Sequence, residues 1–217
     1  MAISFKDAQG KAKKGAAYYK YTEGENVLRF VGGLLPRYSY WIKDESGKDH
    51  SIECLGFDRG EETFLNAEKD WVRHFWPDKK CSWSYAIQAI DTKTGKLVLV
   101  PLKKKLFEQI QVAAEDLGDP TDLDEGWDVV FKRVKTGPMN FNVEYTLQVL
   151  RCKKRSLTAE ERALLDEMKP IDELLPRPTA EQQREYIERM ILKEGGDGGN
   201  DDTPEGMGGA DDDDIPY

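Results

Sequence analysis

The sequence lacks any apolar run near the roughly 18 residues that a membrane-spanning helix needs. Its start, Met1-Ala2-Ile3-Ser4-Phe5-Lys6, also lacks the apolar core of a signal peptide, so a cytoplasmic protein with no membrane partner is expected. Cysteine is scarce. Cys54, Cys81 and Cys152 lie far apart, which excludes a disulfide framework and leaves reduced thiols. No Cys-x-x-Cys pair occurs, and His50-x-x-x-Cys54 and His74 with Cys81 are the nearest approach to a zinc spacing, so no metal or other cofactor is expected. Neither histidine has a nucleophile at a recognisable spacing, and there is no glycine-rich phosphate loop. These absences argue against an enzyme.

Charge is abundant but unevenly placed. Residues 1–155 hold 26 Lys+Arg against 23 Asp+Glu, while residues 156–217 hold 6 against 18, so the overall net charge of −9 belongs to the C-terminal part. A slightly basic body with a strongly acidic end fits a tail that competes for a polyanion site on the body. From Glu194 to Ala210 the chain is glycine with scattered acids, the composition of a flexible linker. Asp211, Asp212, Asp213 and Asp214 then precede Ile215, Pro216 and Tyr217. Consecutive carboxylates cannot enter a packed core, so the end is either a solubilising tail or a peptide offered to a basic, hydrophobic pocket on a partner.

The body is predicted to be mainly β with helical additions. Residues 1–24 have the composition of a loose basic arm carrying Tyr18 and Tyr19. Strands are expected over Asn26–Leu34, Arg37–Lys43, His50–Phe57, Trp83–Ile90, Leu97–Leu102, Trp127–Lys135 and Val143–Arg151, from their alternation and flanking turn residues. Leu97–Leu102 is apolar on both faces, the pattern of a central strand. Helical spacing suggests Glu61–Phe75 and Lys103–Leu117, and the capping-box patterns beginning at Thr158 and Thr179 predict helices over Thr158–Lys169 and Thr179–Lys193. Strands of this number around a helix suggest a small closed structure of the OB type, a five-stranded Greek-key barrel with extra strands and helices. The expected division is an arm at 1–24, an OB-type core at 25–155, a helical extension at 156–193 and a disordered acidic tail at 194–217.

Aromatic and basic residues interleave in this β body. Arg37, Tyr38, Tyr40 and Trp41 form one cluster; Lys79 and Lys80 lead into Trp83 and Tyr85; Lys103, Lys104 and Lys105 open a helix; Lys132, Arg133 and Lys135 end a strand. Single-stranded nucleic acid requires both parts, cations along the phosphates and flat faces for unstacked bases, whereas a duplex hides its base faces. Arg29, Phe141, Tyr18 and Tyr19 complete the candidate set. The competing reading is that these aromatics are strand core and that the chain is an adaptor working through its helices and tail; an RNA-binding protein is a further alternative.

Three stretches then carry a resemblance: Asn26-Val27-Leu28-Arg29-Phe30, Lys79-Lys80 before Trp83-Ser84-Tyr85-Ala86-Ile87, and Leu99-Val100-Pro101-Leu102-Lys103-Lys104-Lys105-Leu106-Phe107. Over about residues 25–150 the chain resembles the gene-32-type single-stranded-DNA-binding proteins of tailed phages, and its ending is similar to the acidic tails of bacterial and phage single-stranded-DNA-binding proteins. The resemblance implies an OB-fold that coats single-stranded DNA in replication, recombination and repair, in the cytoplasm of an infected bacterium. It also implies a groove lined by Lys79, Lys80, Trp83 and Lys103–Lys105, and a tail that recruits replication and recombination proteins. The family's zinc-binding histidine and cysteines, and a clear N-terminal motif for cooperative binding, are not found in this sequence. Oligomeric state is not legible in it.

Overall fold

The computed structural model describes residues 17–139 and 142–192. Its frame is a six-stranded antiparallel sheet with neighbours in the order β6-β5-β1-β7-β8, and with β2 also paired to β1. The strands are β1 (Gly24–Lys43), β2 (Asp49–Glu53), β5 (Ser82–Asp91), β6 (Lys96–Leu102), β7 (Asp128–Lys135) and β8 (Val143–Leu147). Between β2 and β5 the chain inserts a two-stranded hairpin, β3 (Phe57–Asp58) with β4 (Thr63–Phe64), and a short helix, α1 (Trp71–Phe75). Helix α2 (Lys104–Leu117) joins β6 to β7, and α3 (Ala159–Asp166), α4 (Ile171–Leu174) and α5 (Ala180–Tyr186) follow the sheet.

β1 organises the rest. Its residues 24–29 pair with β7 on one side, and residues 39–43 pair with β2 on that same side, while β5 runs along the other side from Leu28 to Ser39. Between Phe30 and Tyr38 the strand therefore has β5 as its sole ladder neighbour among the described residues. Pro36, which has no N–H to donate, falls within this single-sided stretch, where a proline costs no ladder bond. The pairing with β5 slips between Val31 and Leu35, and Gly32 sits there at φ 74°, a left-handed conformation that suits glycine. One uninterrupted strand thus occupies the place of the two expected over Asn26–Leu34 and Arg37–Lys43.

Both faces of the sheet are covered. On the inner face Leu28, Phe30, Ile87, Ala89, Val100 and Phe131 pack with Leu106, Phe107, Ile110 and Ala113 of α2. On the outer face Val31 and Ile90 meet Leu157, backed by Leu164 and Leu165 of α3, and Leu35, Ala86 and Leu99 meet Leu175. The segment after the sheet is therefore a second wall of the core. This explains why Leu97–Leu102 is apolar on both faces although β6 lies at one end of the sheet order and is not central. A third cluster, built from Tyr40, Ile42, Ile52, Cys54, Phe57 and Val72 with Ile187 and Ile191, anchors α1 and the C-terminal helices to β2. Gln183 strengthens that anchor, donating to the Glu53 carbonyl at 2.8 Å and accepting from the Trp71 N–H at 2.7 Å.

The ladder does not close into a barrel among the described residues. Side chains bridge its ends instead. Residues 17–19, expected in a loose arm, lie along β6 through Leu99 N–H to Ala17 O at 2.9 Å and Tyr19 N–H to Leu99 O at 2.8 Å. The Tyr21 hydroxyl donates to Pro101 O of β6, while its ring contacts Tyr145 of β8 and Phe131 of β7 with centroids at 5.3 and 5.8 Å. Gln109 of α2 takes the place of a neighbouring strand for β8, donating to Tyr145 O at 2.9 Å and accepting from the Leu147 N–H at 2.8 Å.

Several expectations need correction. The helix expected over Glu61–Phe75 is confined to Trp71–Phe75, because the Asp58 side chain accepts from the N–H groups of Gly60 and Glu61 and turns the chain into the β3–β4 hairpin instead. The last strand ends at Leu147, before a 3₁₀ turn over Val149–Arg151. The helix expected to Lys169 ends at Asp166, and the helix begun at Thr179 runs as α5 and then one π-helical turn over Ile187–Ile191. Both capping boxes are formed, Thr158 with Glu161 and Thr179 with Gln182.

Three candidate contact residues are placed inside the protein. Tyr19 is buried, and its hydroxyl donates to Asn26 Oδ1 at 2.6 Å. Tyr40 is buried; its hydroxyl donates to Asp70 at 3.1 Å and accepts from Arg73 Nε at 3.0 Å, which ties β1 to α1. Arg29 is fully buried and donates to the carbonyls of Pro120, Asp122 and Arg155, so it holds together the loop before β7 and the start of the outer wall. Gly126 has no side chain for the same reason, since a Cβ there would stand 2.5 Å from the Arg29 guanidinium. Replacing Arg29 with Met leaves three carbonyls without a charged donor. The Arg29→Met protein is expected to lose about 3 kcal/mol or more of stability in urea unfolding; a loss below about 0.5 kcal/mol, the range of an ordinary surface change, would contradict the buried bracing role.

Candidate nucleic-acid interface

Where β1 has a neighbour on one side only, a cleft of about 330 Å³ opens, lined by Pro36, Arg37 and Tyr38 of β1, Trp83, Ser84 and Tyr85 of β5, Phe57 and Glu62 of the inserted hairpin, and Phe107, Glu108 and Gln111 of α2. Register places Tyr38 beside Trp83 and Pro36 beside Tyr85, so the rings come from adjacent strands. Trp83 and Tyr85 are each half-buried, as half-lining a core edge requires. The Tyr85 ring stacks on Phe107 at 4.6 Å and 22° between planes, and Trp83 meets both rings edge-on at 5.5 and 5.7 Å. Tyr38 packs on Phe57 at 4.6 Å and Phe64 at 4.8 Å. The result is a ring-lined trough held by strands on one side and a helix on the other.

The charges around it are mixed. Lys104 Nζ lies 5.6 Å from the Trp83 ring, and Lys103 Nζ lies 5.8 Å from Tyr21. Lys79, Lys80 and Lys105 are exposed. Arg37 approaches Glu53 at 3.4 Å, but Glu53 is claimed more closely by Arg59 at 2.6 Å, which leaves Arg37 weakly held at the cleft wall. Glu62 intrudes from the hairpin, accepting from the Tyr85 hydroxyl at 3.5 Å, and it does so from a left-handed backbone conformation, φ 48°, that non-glycine residues rarely adopt. Burial, followed by the Glu62 carboxylate, holds the Tyr85 phenol above its ordinary value of 10.0.

Of the residues selected from sequence, Arg37, Tyr38, Trp83 and Tyr85 meet in the cleft, with Lys104 over Trp83. Tyr18 is half-buried and packs with Leu35, Leu99 and Leu175 on the outer face. Trp41 is half-buried opposite Ser51 of β2 and outside the cleft lining. Lys132, Arg133 and Lys135 lie on β7, across β1 from β5. Phe141 and Asp211–Tyr217 lie outside the described residues. No protein-family model matches the chain. The chain is similar to a protein of Escherichia phage T5 that bears the name probable ssDNA-binding protein, with 26% identity over 245 residues, covering 97% of this chain and 94% of that one.

Sequence reasoning missed Phe57, Glu62 and Phe107 as cleft residues. Phe107 sits at a packed helical position and is buried, yet one face of its ring supports Tyr85; only its distance from the end of β6, a few residues after three lysines, hinted at this. Phe57 and Glu62 belong to the β3–β4 hairpin, where the sequence pattern predicts a strand end and a helix, so their position over the trough has no signal in that pattern.

The Tyr85–Glu62 contact has a direct readout. Ultraviolet titration of the phenols is expected to show Tyr85 ionising above pH 10, and Glu62→Gln should move it part of the way back, because burial is the larger cause. An unmoved titration would mean that Glu62 does not reach into the cleft.

Proposed function

We propose that this chain binds single-stranded DNA without reading its sequence, with the trough between β1, β5 and α2 as the site where bases stack. The observation that carries the reading is the set of Trp83, Tyr85 and Tyr38 brought together in an open cleft beside Lys104 and Arg37. Rings and cations in one groove are what an unpaired strand engages, at about 1–3 kcal/mol per stacked base. The similarity to the phage T5 protein, which extends over nearly the whole chain, supports the same class of ligand.

The architecture is consistent with an OB-type barrel left partly open. Taking β1, β5, β6, β7 and β8 as strands one to five, the neighbour order is 3-2-1-4-5, with a helix between the third and fourth, as a five-stranded Greek-key barrel opened between its third and fifth strands would have. In such folds the second and third strands and the loop after the first form the oligonucleotide face. Here the second strand supplies Trp83 and Tyr85, and the segment after the first supplies Phe57 and Glu62. On this reading the protein is a binding protein, not an enzyme. It coats single strands during phage replication, recombination and repair in the host cytoplasm, as the gene-32-type proteins do. Its acidic end, Asp211–Tyr217, recruits partner proteins and competes with DNA for the cationic surface.

The test is a tryptophan-fluorescence titration with oligo(dT), with RNA of matching sequence, and with a duplex of equal length, at low and high salt. Quenching by oligo(dT) that weakens with salt and is nearly absent with duplex is expected; no response and no change in mobility would overturn the proposal, and tighter binding to RNA would reassign the ligand. Trp83→Ala should weaken oligo(dT) binding by about 1–3 kcal/mol. Glu62→Gln should tighten it, since it removes a negative charge from the path of the phosphates. Deleting Asp211–Tyr217 should tighten it as well, most at low salt. Unchanged affinity in that deletion would remove the competition by the tail and leave the cleft intact.

A further inference from the structure

Outside the cleft, α1 carries a second concentration of rings and cations. Trp71, His74 and Phe75 share one side of the helix at i, i+3 and i+4, and the rings run in contact from Trp71 to His74 at 5.1 Å, His74 to Phe75 at 5.3 Å and Phe75 to Trp76 at 5.8 Å. Two cations from different parts of the chain are drawn to the Trp71 ring, with Lys69 Nζ at 3.5 Å and the Arg184 guanidinium at 4.8 Å from its centroid. His74, Lys69 and Arg184 are exposed, and Trp71 and Trp76 are half-buried. The platform is rigidly mounted. Asp70 caps α1 through the Val72 and Arg73 N–H groups, and Gln183 accepts from Trp71 N–H.

This platform is continuous with the cleft by two routes. Arg73 of α1 lies 5.9 Å from the ring of Phe64, which in turn lies 4.8 Å from Tyr38 in the cleft wall. Along the chain, Trp76 is followed by the exposed Lys79 and Lys80 and then by Trp83, a span of at most roughly 25 Å if fully extended. Lys79 and Lys80 therefore fall between the two sets of rings along the chain.

Resting on the reading of the cleft as a single-strand site, we propose that the α1 platform is a second contact for the same strand, which leaves the trough past Lys79 and Lys80 and stacks against the ring set held by α1. A purely structural role for these residues competes with this one, because Arg184 of α5, which pairs with Glu188 at 2.6 Å, reaches the Trp71 ring and so braces α5 against α1. The two roles separate by ligand length.

The experiment measures binding of oligo(dT) of about 4 and about 16 nucleotides, the span covered by single folds of this kind, to wild type, to the double variant Lys69→Gln/Arg184→Gln, and to His74→Ala. All three positions are exposed, so the fold should survive, and circular dichroism checks it. The wild type should bind the long oligonucleotide more tightly than the short one. The double variant should match wild type on the short oligonucleotide, lose about tenfold on the long one at low salt, and show a shallower salt dependence there; His74→Ala should fall in the same direction. Equal affinity for both lengths in every variant, or an equal loss at both lengths, would overturn the platform. Failure of wild type to bind either length would instead remove the reading of the cleft on which it rests.

Discussion

A single strand with three partners sets the shape of this protein. β1 runs for 20 residues and is shared among β5, β7 and β2, and the register slip at Gly32-Gly33 lets its two halves serve different cores. Its first half builds the sheet that α2 covers, and its second half builds the cluster that receives the inserted hairpin, α1 and the C-terminal helices. Because β7 stops at Arg29 and β2 begins at Ser39, the middle of β1 has an open side, and that is where the cleft lies.

The same economy of side chains holds the open sheet together. Tyr21 and Gln109 satisfy groups at the two ends that a closed barrel would satisfy with ladder bonds. Hydrogen bonds of this kind contribute modestly when made and cost more when a buried partner is left without one, so the edge can remain unclosed without exposing a free strand to another chain. The outer wall built by Leu157, α3 and Leu175 acts similarly, since it buries the face of β1 and β5 that α2 does not reach. Arg155 ties that wall down through Glu161 at 2.6 Å and Asp128 at 2.8 Å, and its guanidinium holds the Glu161 carboxyl below the usual carboxylate value. That contribution is present at neutral pH and is lost as pH falls through the depressed value.

Local chemistry was legible in the sequence wherever it was decided locally. The Thr158 and Thr179 capping boxes, the turn with Gly95 between β5 and β6, and the alternation of β8 follow from residues a few positions apart. What depends on distant packing was not. Phe64, Leu65, Trp71, Val72 and Phe75 have helical spacing, yet Phe64 and Leu65 are substantially exposed on a hairpin because Asp58 and the left-handed Glu62 and Asn66 turn the chain there. Tyr19 and Tyr40 look like Tyr38 and Tyr85 in the sequence. Alternation cannot tell a ring that fills a core from one that lines a cleft, and burial separates them only once the inserted segment and the N-terminal residues 17–23 are in place. For the candidate site, the register of β1 with β5 sets Tyr38 beside Trp83, an adjacency that the interleaved pattern does not specify, and the contribution of α2 through Phe107 comes from topology alone.

The central claim is that bases stack in the trough formed by Tyr38, Trp83 and Tyr85. The most direct measurement is ultraviolet crosslinking of the protein to oligo(dT), with the adducts located by peptide mass spectrometry. The account predicts adducts on the peptides carrying Tyr38 and Trp83–Tyr85, suppressed by competing unlabelled oligo(dT) and by high salt. Adducts confined to peptides that do not line the cleft, such as those of β7 or α3, with none on β1 or β5, would contradict it.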